Sequence, residues 1–363
     1  MSISVVTSVL LFCATLALLA GATLIVWGSL AQRSQQRLTL RVLRRQDAGD
    51  TAILTLGRRS WRRLPAFRPG QYLAVEAAIQ QSVPPLMRCY SLARWQRNPY
   101  RYQLAIKRAP DGRVSNWLAD NVQVGSRLTV RAPSGEFVLQ AGQDYIVLIA
   151  GGVGITPLLA MLDGLRACRQ PPQRVVLLYA ARHYEQLLWH KQLLSWEQQL
   201  PWFDYRPCLS APEHDWQGWR GRLDAARLAA VTQGWPHAAL YQCASDGLMT
   251  AMSLAARQLP LPGGTVIHQE AFGVTAQGSG QWHGVSLGQH HVSVEGGRAL
   301  LAELESVHHF ADASCRAGEC GGCRLQLLSG DVEWLRHPVQ PPQDGLILAC
   351  CCSAKSDLAL AAL

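Results

Sequence analysis

The sequence predicts a multidomain chain: an N-terminal transmembrane helix, an antiparallel β-barrel, an α/β domain with a parallel sheet, and a small cysteine-rich C-terminal domain. Three observations predict this order. Short apolar runs separated by turn residues follow the N-terminal segment, strands alternate with helices in the middle, and six of the eleven cysteines lie within residues 315–363. The 363 residues are enough for two or three compact domains.

The N-terminal segment, residues 1–32, is interpreted as a membrane anchor. It contains no charged side chain, and residues 3–30 are almost continuously apolar, which exceeds the roughly 20 residues that a spanning helix needs. A cleaved signal peptide would begin with basic residues and have a shorter apolar core. Here the basic residues follow the segment, beginning at Arg33. They favour a single pass through the inner (cytoplasmic) membrane, with the following domains on the cytoplasmic side.

The net charge of +9 comes largely from arginines near this end, over residues 33–45 and again over residues 58–63. Attraction to anionic lipid head groups or to an acidic partner explains this distribution. No zinc-finger, RNA-recognition or helix-turn-helix pattern accompanies the charge, so nucleic acid is not an expected partner.

Residues 38–141 are predicted to form the barrel. The runs "LTLRVL", "TAILTLG", "QYLAVEAA", "YQLAIKR", "SRLTVRAP" and "EFVLQ" are separated by turn-rich pieces such as "RPG" and "APDG". Strands at this spacing are typical of an antiparallel barrel. One helix, "SNWLADNV", is predicted between the fourth and fifth runs.

Residues 143–272 are predicted to form the α/β domain. The stretch "DYIVLIAGGVGITPLLAMLDGL" indicates a buried strand, a glycine turn and a helix, and its glycines and Pro157 argue against a second transmembrane helix. The later runs "RVVLLYAAR", "YEQLLWHKQLLSWEQQL" and "HAALYQCAS" continue the strand–helix alternation of a parallel sheet. A Gly/Ser/Gln-rich linker over residues 273–283 leads to the last domain, residues 284–363.

Cys315, Cys320 and Cys323 have the C-x4-C-x2-C spacing of a plant-type [2Fe–2S] cluster. Four thiolates must reach two irons, so three lie on one tight loop and the fourth comes from a distant strand. Glycines in this loop allow positive φ angles and let backbone N–H groups point at the sulfurs.

The fourth ligand is expected after the apolar run "GLILA", where three cysteines follow one another. Cys350 comes first, and the spacing leaves Cys351 and Cys352 open. A zinc site is the alternative, but it would usually contain paired C-x2-C pieces. The cluster is the favoured interpretation.

"CRAGECGGCRLQLLSGDV" together with "GLILACCCSAKSDLALA" resembles the C-terminal ferredoxin domain, a β-grasp (α+β) fold, of flavin-containing electron-transfer reductases. This family reads "LAC" at the fourth ligand, which selects Cys350. In the barrel, "RCYSLA" resembles the R-x-Y-S motif of ferredoxin–NADP reductase-like proteins, and "FRPGQYL" and "APSGEF" match its barrel pattern in order. The "PSGEF"-like ending favours FAD over FMN.

The resemblance implies roles for the barrel residues. Arg88 would clamp a pyrophosphate, Tyr90 would stack on the flavin ring, and Ser91 would hydrogen-bond near its reactive nitrogen. In "DGRVSNWL" the start of a helix would supply a second pyrophosphate contact. Its residues are Gly112, Arg113, Val114 and Ser115.

"AGGVGITP" is neither a Rossmann G-x-G-x-x-G nor a P-loop, and it resembles the family's nicotinamide dinucleotide loop. Thr156 is expected to cap the following helix and Pro157 to occupy its first position. Arg182 in "LYAAR" resembles a ribose-side element, and "EAFG" resembles a flavin-side one. The remaining residues of these elements are Gly151, Gly152, Gly154, Glu270 and Phe272.

One departure concerns the loop beside the nicotinamide. The family usually has Cys-Gly-Pro where this chain reads Cys243-Ala244-Ser245, so the cysteine is kept and the loop geometry stays open. The resemblance implies a catalytic group of Tyr90, Ser91, Cys243 and Glu270.

The order of flavin, nicotinamide and ferredoxin motifs spans about residues 38–363. It is similar to that of the phthalate dioxygenase reductase type and of the NADH reductase of the hybrid-cluster protein. The resemblance implies a reductase that takes electrons from NAD(P)H onto FAD and delivers them through a [2Fe–2S] cluster to a one-electron acceptor protein. NADH is slightly favoured over NADPH, and the oligomeric state stays open.

The predicted anchor favours an acceptor in the membrane, such as an oxygenase or desaturase. Two alternatives are a membrane-tethered redox sensor or binding module with little turnover, and a reductase of a soluble oxygenase or hybrid-cluster protein.

Overall fold

The computed structural model describes residues 36–60, 62–79, 85–110, 112–273, 278–305, 307–308, 310, 313–338 and 342–363. The predicted anchor, residues 1–32, lies outside this set, as do residues 274–277 of the predicted linker. Within the set, every helix is too short or too polar to cross a membrane.

The first domain is a six-stranded antiparallel sheet in the order β4-β3-β6-β1-β2-β5, whose two edge strands contact each other to give a barrel-like shape. Alternating apolar residues of the strands fill its interior, and the single helix α1 covers it. The elements are β1 (Arg37–Ala48), β2 (Thr51–Gly57), β3 (Tyr72–Ala77), β4 (Leu86–Ser91), β5 (Arg101–Lys107), α1 (Arg113–Asn121) and β6 (Arg127–Arg131).

Two details of the barrel differ from the sequence prediction. The run "EFVLQ", residues 136–140, forms no strand. Phe137 is buried because its ring packs edge-to-face on Tyr241 of the next domain, 6.0 Å between centroids, and Leu139 N–H donates to the Pro69 carbonyl. The sixth strand is instead β4, which carries "RCYS" and pairs with β3.

The second domain is a six-stranded parallel sheet in the order β10-β9-β8-β7-β11-β12. The strand order reverses between β7 and β11, so their carboxyl ends form the switch point at which open α/β sheets bind ligands. The elements are β7 (Tyr145–Gly151), α2 (Ile155–Arg166), β8 (Arg174–Ala181), α3 (His190–Gln199), β9 (Phe203–Leu209), β10 (Trp219–Arg220), α4 (Ala225–Val231), β11 (Ala238–Cys243), α5 (Asp246–Arg257) and β12 (Thr265–Glu270).

The C-terminal domain has a mixed five-stranded sheet in the order β14-β13-β19-β15-β17 and a small two-stranded sheet of β16 and β18. Its first strand begins at Trp282, two residues before the predicted domain start. The elements are β13 (Trp282–Leu287), β14 (His290–Glu295), α6 (Leu300–Leu304), β15 (Arg324–Ser329), β16 (Val332–Trp334), β17 (Leu346–Leu348), β18 (Cys352–Ala354) and β19 (Leu358–Ala362).

Candidate active site

A cavity of about 460 Å³ lies where the three domains meet. Most of the residues predicted for cofactor binding line it, although they come from four separate stretches of sequence. These residues are Arg88, Tyr90, Ser91, Gly112, Arg113, Val114, Ser115, Thr156 and Phe272. The structure therefore brings the predicted flavin residues together around one space.

Ser91, in the wall of this cavity, forms a buried hydroxyl–carboxyl pair with Glu270, which lines a smaller pocket of about 60 Å³ next to it. Ser91 Oγ donates to Glu270 Oε2 at 2.8 Å, and both residues are buried. Burial raises the pKa of the Glu270 carboxyl well above its ordinary value, nearby Glu319 raises it further, and the Ser91 hydrogen bond lowers it in part. The group can therefore hold a proton in a place that water does not reach.

The start of α1 forms another wall. Gly112 precedes the helix, and a Cβ there would lie 2.1 Å from Ser115 Oγ, so a side chain at this position would displace the Ser115 hydroxyl. Val114 lines the cavity, but its side chain is buried in the barrel core. The first N–H groups of a helix have no partner within the helix and attract anions.

The charges around the cavity fit the diphosphate of a flavin dinucleotide. Five basic side chains line it: Arg88, Lys107, Arg108, Arg113 and Arg316. Among the described residues that line the cavity, Glu305 is the one acidic residue. This donor set, with the Tyr90 ring beside it, suits an anionic cofactor that carries an aromatic ring.

The glycine loop after β7 packs closely on the loop after β11. A Cβ on Gly154 would lie 1.9 Å from the Cys243 carbonyl oxygen, and one on Gly151 would lie 2.7 Å from the Ala244 Cβ. Gly152 adopts a φ of 52°. The Cys-Ala-Ser departure is thus accommodated, because Gly151 leaves room for the methyl group of Ala244.

The Cys243 thiol is buried at this junction. Burial raises its pKa well above the ordinary value, with further contributions from Glu270 and Glu319. A neutral thiol at the switch point can pack against a nicotinamide ring without placing a charge there.

Two expectations for the helix start after this loop are wrong. Gly154 precedes α2, and the Thr156 hydroxyl donates to the Val153 carbonyl at 3.0 Å instead of capping the helix. Pro157 is the third helical residue, not the first, because α2 begins at Ile155. Both residues are buried in the first turn, and Thr156 still reaches the flavin cavity.

Arg182 is exposed just beyond the carboxyl end of β8 and does not line the flavin cavity. Its backbone N–H is held by Gln186 Oε1 at 3.0 Å. The Arg182 side chain therefore lies on the surface of the nicotinamide domain. Its predicted contact with the ribose of the dinucleotide stays a prediction.

The cysteine loop has the geometry that the sequence predicts for a cluster loop. The N–H groups of Ala317, Glu319 and Cys320 point at Cys315 Sγ at 3.3–3.4 Å. Gly318 and Gly321 have φ angles of 77° and 68°. Backbone amides aimed at a sulfur stabilise the thiolate form that an iron ligand needs.

The four predicted ligand thiols converge. Cys315 contacts the thiols of Cys320 and Cys350. These two contacts are the main cause that lowers the pKa of Cys315, and the backbone amides lower it further. Cys323 contacts Cys350, and its pKa is also lowered. Three of the four sulfurs belong to the cysteine loop, and the fourth, that of Cys350, belongs to the chain just after β17. In the described chain no three His, Cys, Asp or Glu side chains surround a single point as a mononuclear metal site.

The two neighbouring cysteines lie differently. Cys351 Sγ is 3.6 Å from Cys350 Sγ and packs against Gly318, where a Cβ would lie 2.7 Å away. Cys352 Sγ points to the Leu348 carbonyl at 3.3 Å. Cys350 alone among the three contacts two of the other predicted ligands.

Sequence reasoning missed several residues that line the cavity. Lys107 ends β5 and Arg108 follows it, whereas Ala302, Glu305 and Arg316 come from the C-terminal domain. Arg316 directly follows Cys315, so the cysteine motif could have drawn attention to it. Nothing in the local sequence marks Glu305.

Three family models match successive parts of the chain. They describe an oxidoreductase FAD-binding domain over residues 43–139, an oxidoreductase NAD-binding domain over 148–253 and a 2Fe-2S iron-sulfur cluster binding domain over 285–355. The 3-ketosteroid-9-alpha-monooxygenase ferredoxin reductase component of Mycobacterium tuberculosis is 31% identical, over 80% of this chain and 84% of that protein. The chain belongs to the ferredoxin–NADP reductase-like flavoprotein reductases that carry a C-terminal [2Fe–2S] ferredoxin domain.

Other relatives agree with this family. The glycine betaine monooxygenase reductase subunit of Chromohalobacter salexigens is 28% identical, over 81% of this chain and 87% of that protein. The solved phthalate dioxygenase reductase has a TM-score of 0.68 at 25% identity, over 90% of this chain and 98% of that one. As a member of this family, the protein is an electron-transfer oxidoreductase that uses NAD(P)H, FAD and a [2Fe–2S] cluster, as the sequence predicted.

Proposed function

We propose that this reductase is held at the cytoplasmic membrane by residues 1–32, with its catalytic domains on the cytoplasmic side. It delivers electrons from NAD(P)H, with NADH preferred, to a membrane-bound oxygenase or desaturase. Its relatives support an oxygenase as acceptor, because they are named as reductase components of glycine betaine and 3-ketosteroid monooxygenases and of phthalate 4,5-dioxygenase.

The observation that carries the membrane part is a basic depression on the barrel. This depression, of about 670 Å³, is lined by Thr39, Gly57 and Ser60 and by five arginines, and none of the described residues that line it is acidic. The arginines are Arg41, Arg58, Arg59, Arg62 and Arg127. Such a surface favours contact with anionic lipid head groups.

The depression lies near the place where the chain enters the barrel. Strand β1 begins at Arg37, seven residues after the apolar run ends at Leu30. Seven residues reach at most about 25 Å when fully extended. An anchor at residues 1–32 would therefore keep the barrel within this distance of the lipid surface.

The chemistry of FAD, NAD(P)H and the [2Fe–2S] cluster determines what the residues of the cavity have to do. FAD accepts two electrons as a hydride from NAD(P)H, and the cluster passes electrons on one at a time. Arg88 and the start of α1 would hold the flavin diphosphate, and Tyr90 would pack on the ring. The nicotinamide ring would bind at the switch point, where the loops that carry Gly154 and Cys243 pack closely on each other.

Ser91 and Glu270 complete the site. Their hydrogen bond links the Ser91 hydroxyl in the cavity wall to the buried Glu270 carboxyl, whose raised pKa favours the protonated form. The pair would therefore supply a proton near the flavin ring without access for water.

Deletion of residues 1–32 tests the membrane proposal. NADH-to-ferricyanide activity should stay within about twofold, because the cavity residues lie outside the segment. Electron delivery to the acceptor in native membranes should fall by about two orders of magnitude, since tethering raises the effective concentration of the partners. Equal rates for both forms would contradict the proposal and favour a soluble oxygenase or hybrid-cluster protein as acceptor. Absence of steady ferricyanide reduction in both forms would instead favour a redox sensor.

A further inference from the structure

Glu305 is the acidic group at the junction between the flavin cavity and the cluster loop. It follows helix α6 directly, and only 5% of its side chain is exposed. Its Oε2 lies 3.3 Å from Arg88 Nη2, and its Oε1 pairs with Arg316 Nη2. One carboxylate therefore joins a barrel strand to the loop that carries the cluster ligands.

The two arginines depend on this carboxylate. Their side chains are about one-fifth exposed, and each guanidinium stays charged at neutral pH. Burial lowers the pKa of Arg88, and the neighbouring charge of Arg316 lowers it further. Without Glu305, two partly buried cations would face each other with no carboxylate between them, which is costly.

Arg316 is also in an unusual backbone conformation. Its φ is 57°, and Trp189 is the one other non-glycine residue with a positive φ in the described chain. Residues in this region persist only where surrounding contacts hold them. Because Arg316 follows the ligand Cys315, its ion pair also holds the backbone that presents this sulfur.

Other contacts hold this loop against the two neighbouring domains. Cys89 N–H donates to the Ser314 carbonyl at 3.2 Å, and Ala317 packs with Met249 and Ala271 of the nicotinamide domain. None of these contacts carries a charge. The Arg88–Glu305–Arg316 triad is the charged contact between the strand of the flavin site and the cluster loop.

We propose that Glu305 is a positioning residue for electron transfer from the flavin to the cluster. Its carboxylate fixes the cluster loop against the barrel strand that holds the flavin phosphates. The step moves one electron from reduced flavin to the oxidised cluster and breaks no bond, so its rate depends on the separation and orientation of the two groups. The inference rests on the established family activity and not on the membrane proposal.

Glu305→Gln tests this role because it removes the charge and keeps the shape. In anaerobic stopped-flow mixing of the holoenzyme with NADH, loss of flavin absorbance should stay within about threefold of the native rate. Reduction of the cluster should slow by at least about tenfold, since the rate of electron transfer depends on the separation and orientation of the flavin and the cluster. Glu305→Asp keeps the charge and should recover part of the rate. Glu333→Gln, at an exposed glutamate of the same domain, should leave both phases unchanged.

Two measurements separate positioning from a structural defect. FAD content and the electron paramagnetic resonance spectrum of the dithionite-reduced cluster should match those of the native protein. An unchanged rate of cluster reduction in Glu305→Gln would overturn the proposal. So would loss of FAD or of the cluster signal in that variant, or a Glu305→Asp rate no faster than that of Glu305→Gln.

Discussion

The barrel meets its two neighbours through very different interfaces. Toward the nicotinamide domain, Arg94 makes two hydrogen bonds to the buried carboxylate of Asp163, at 2.7 and 3.1 Å, and Trp95 N–H donates to the same group. Arg94 also lies over the Trp196 ring, 5.6 Å from its centroid. Toward the ferredoxin domain, the polar contacts of the described residues include hydrogen bonds between Cys89 and Ser314 and the ion pair of Arg88 with the Glu305 carboxylate.

The difference matches the two transfers that the interfaces serve. A hydride moves only between atoms in contact and correctly aligned, so the flavin and nicotinamide domains must be held rigidly. A single electron crosses without bond formation, so one well-placed ion pair is enough for the cluster domain. We expect a smaller contact there to suit a domain that must also present its cluster to an acceptor.

Breaking the first interface should have the larger effect on stability. Arg94→Ala leaves the Asp163 carboxylate, whose side chain is 7% exposed, with Arg166 at 3.5 Å and Trp95 N–H as its remaining partners. The free energy of unfolding should fall by about 2 kcal/mol, the cost of losing hydrogen bonds to a buried charge. Thermal unfolding of the holoenzyme measures this loss, and flavin reduction by NADH should slow in parallel.

Arg97→Ala is the matched control, since Arg97 is exposed three residues along the same segment. It should change neither quantity. A stability loss as large in Arg97→Ala as in Arg94→Ala, or full-speed flavin reduction in Arg94→Ala, would remove the distinction between the two interfaces.

A smaller effect is expected from Glu270, which lies where all three domains approach. Its pKa is raised in the folded protein above the unfolded value of about 4.3. The native state therefore keeps a proton that the unfolded chain releases, and native stability falls as pH rises from that value toward the native pKa.

Glu270→Gln should remove this loss. Unfolding midpoints measured from pH 4 to pH 8 should fall less steeply with pH in the variant than in the native protein, while Glu213→Gln, at an exposed site, should follow the native curve. Parallel curves for Glu270→Gln and the native protein would show that the pKa of this carboxyl is the same in the folded and unfolded states.

Much of the fold and of the candidate site could be predicted from the sequence, because local patterns of residues encode them. The strands of the parallel sheet, the helix at residues 113–121 and the positive φ angles of Gly318 and Gly321 all follow from neighbouring residues. The prediction of a strand at "EFVLQ" was wrong because Phe137 in this run is buried by its contact with Tyr241 of the next domain, and not by pairing with another strand. Glu305 could not be found at all, since its partners are 217 and 11 residues away and meet it only in the folded chain.

The path from NADH through flavin to a cluster held by Cys350 is tested most directly by a single anaerobic turnover. Native protein mixed with NADH should lose flavin absorbance first and then gain the electron paramagnetic resonance signal of a reduced [2Fe–2S] cluster. In Cys350→Ser the flavin should still be reduced, the cluster signal should be absent, and cytochrome c reduction should collapse. Cys351→Ser and Cys352→Ser should keep most of the signal. A normal cluster spectrum in Cys350→Ser, or a cluster that is reduced before the flavin in the native protein, would contradict the account.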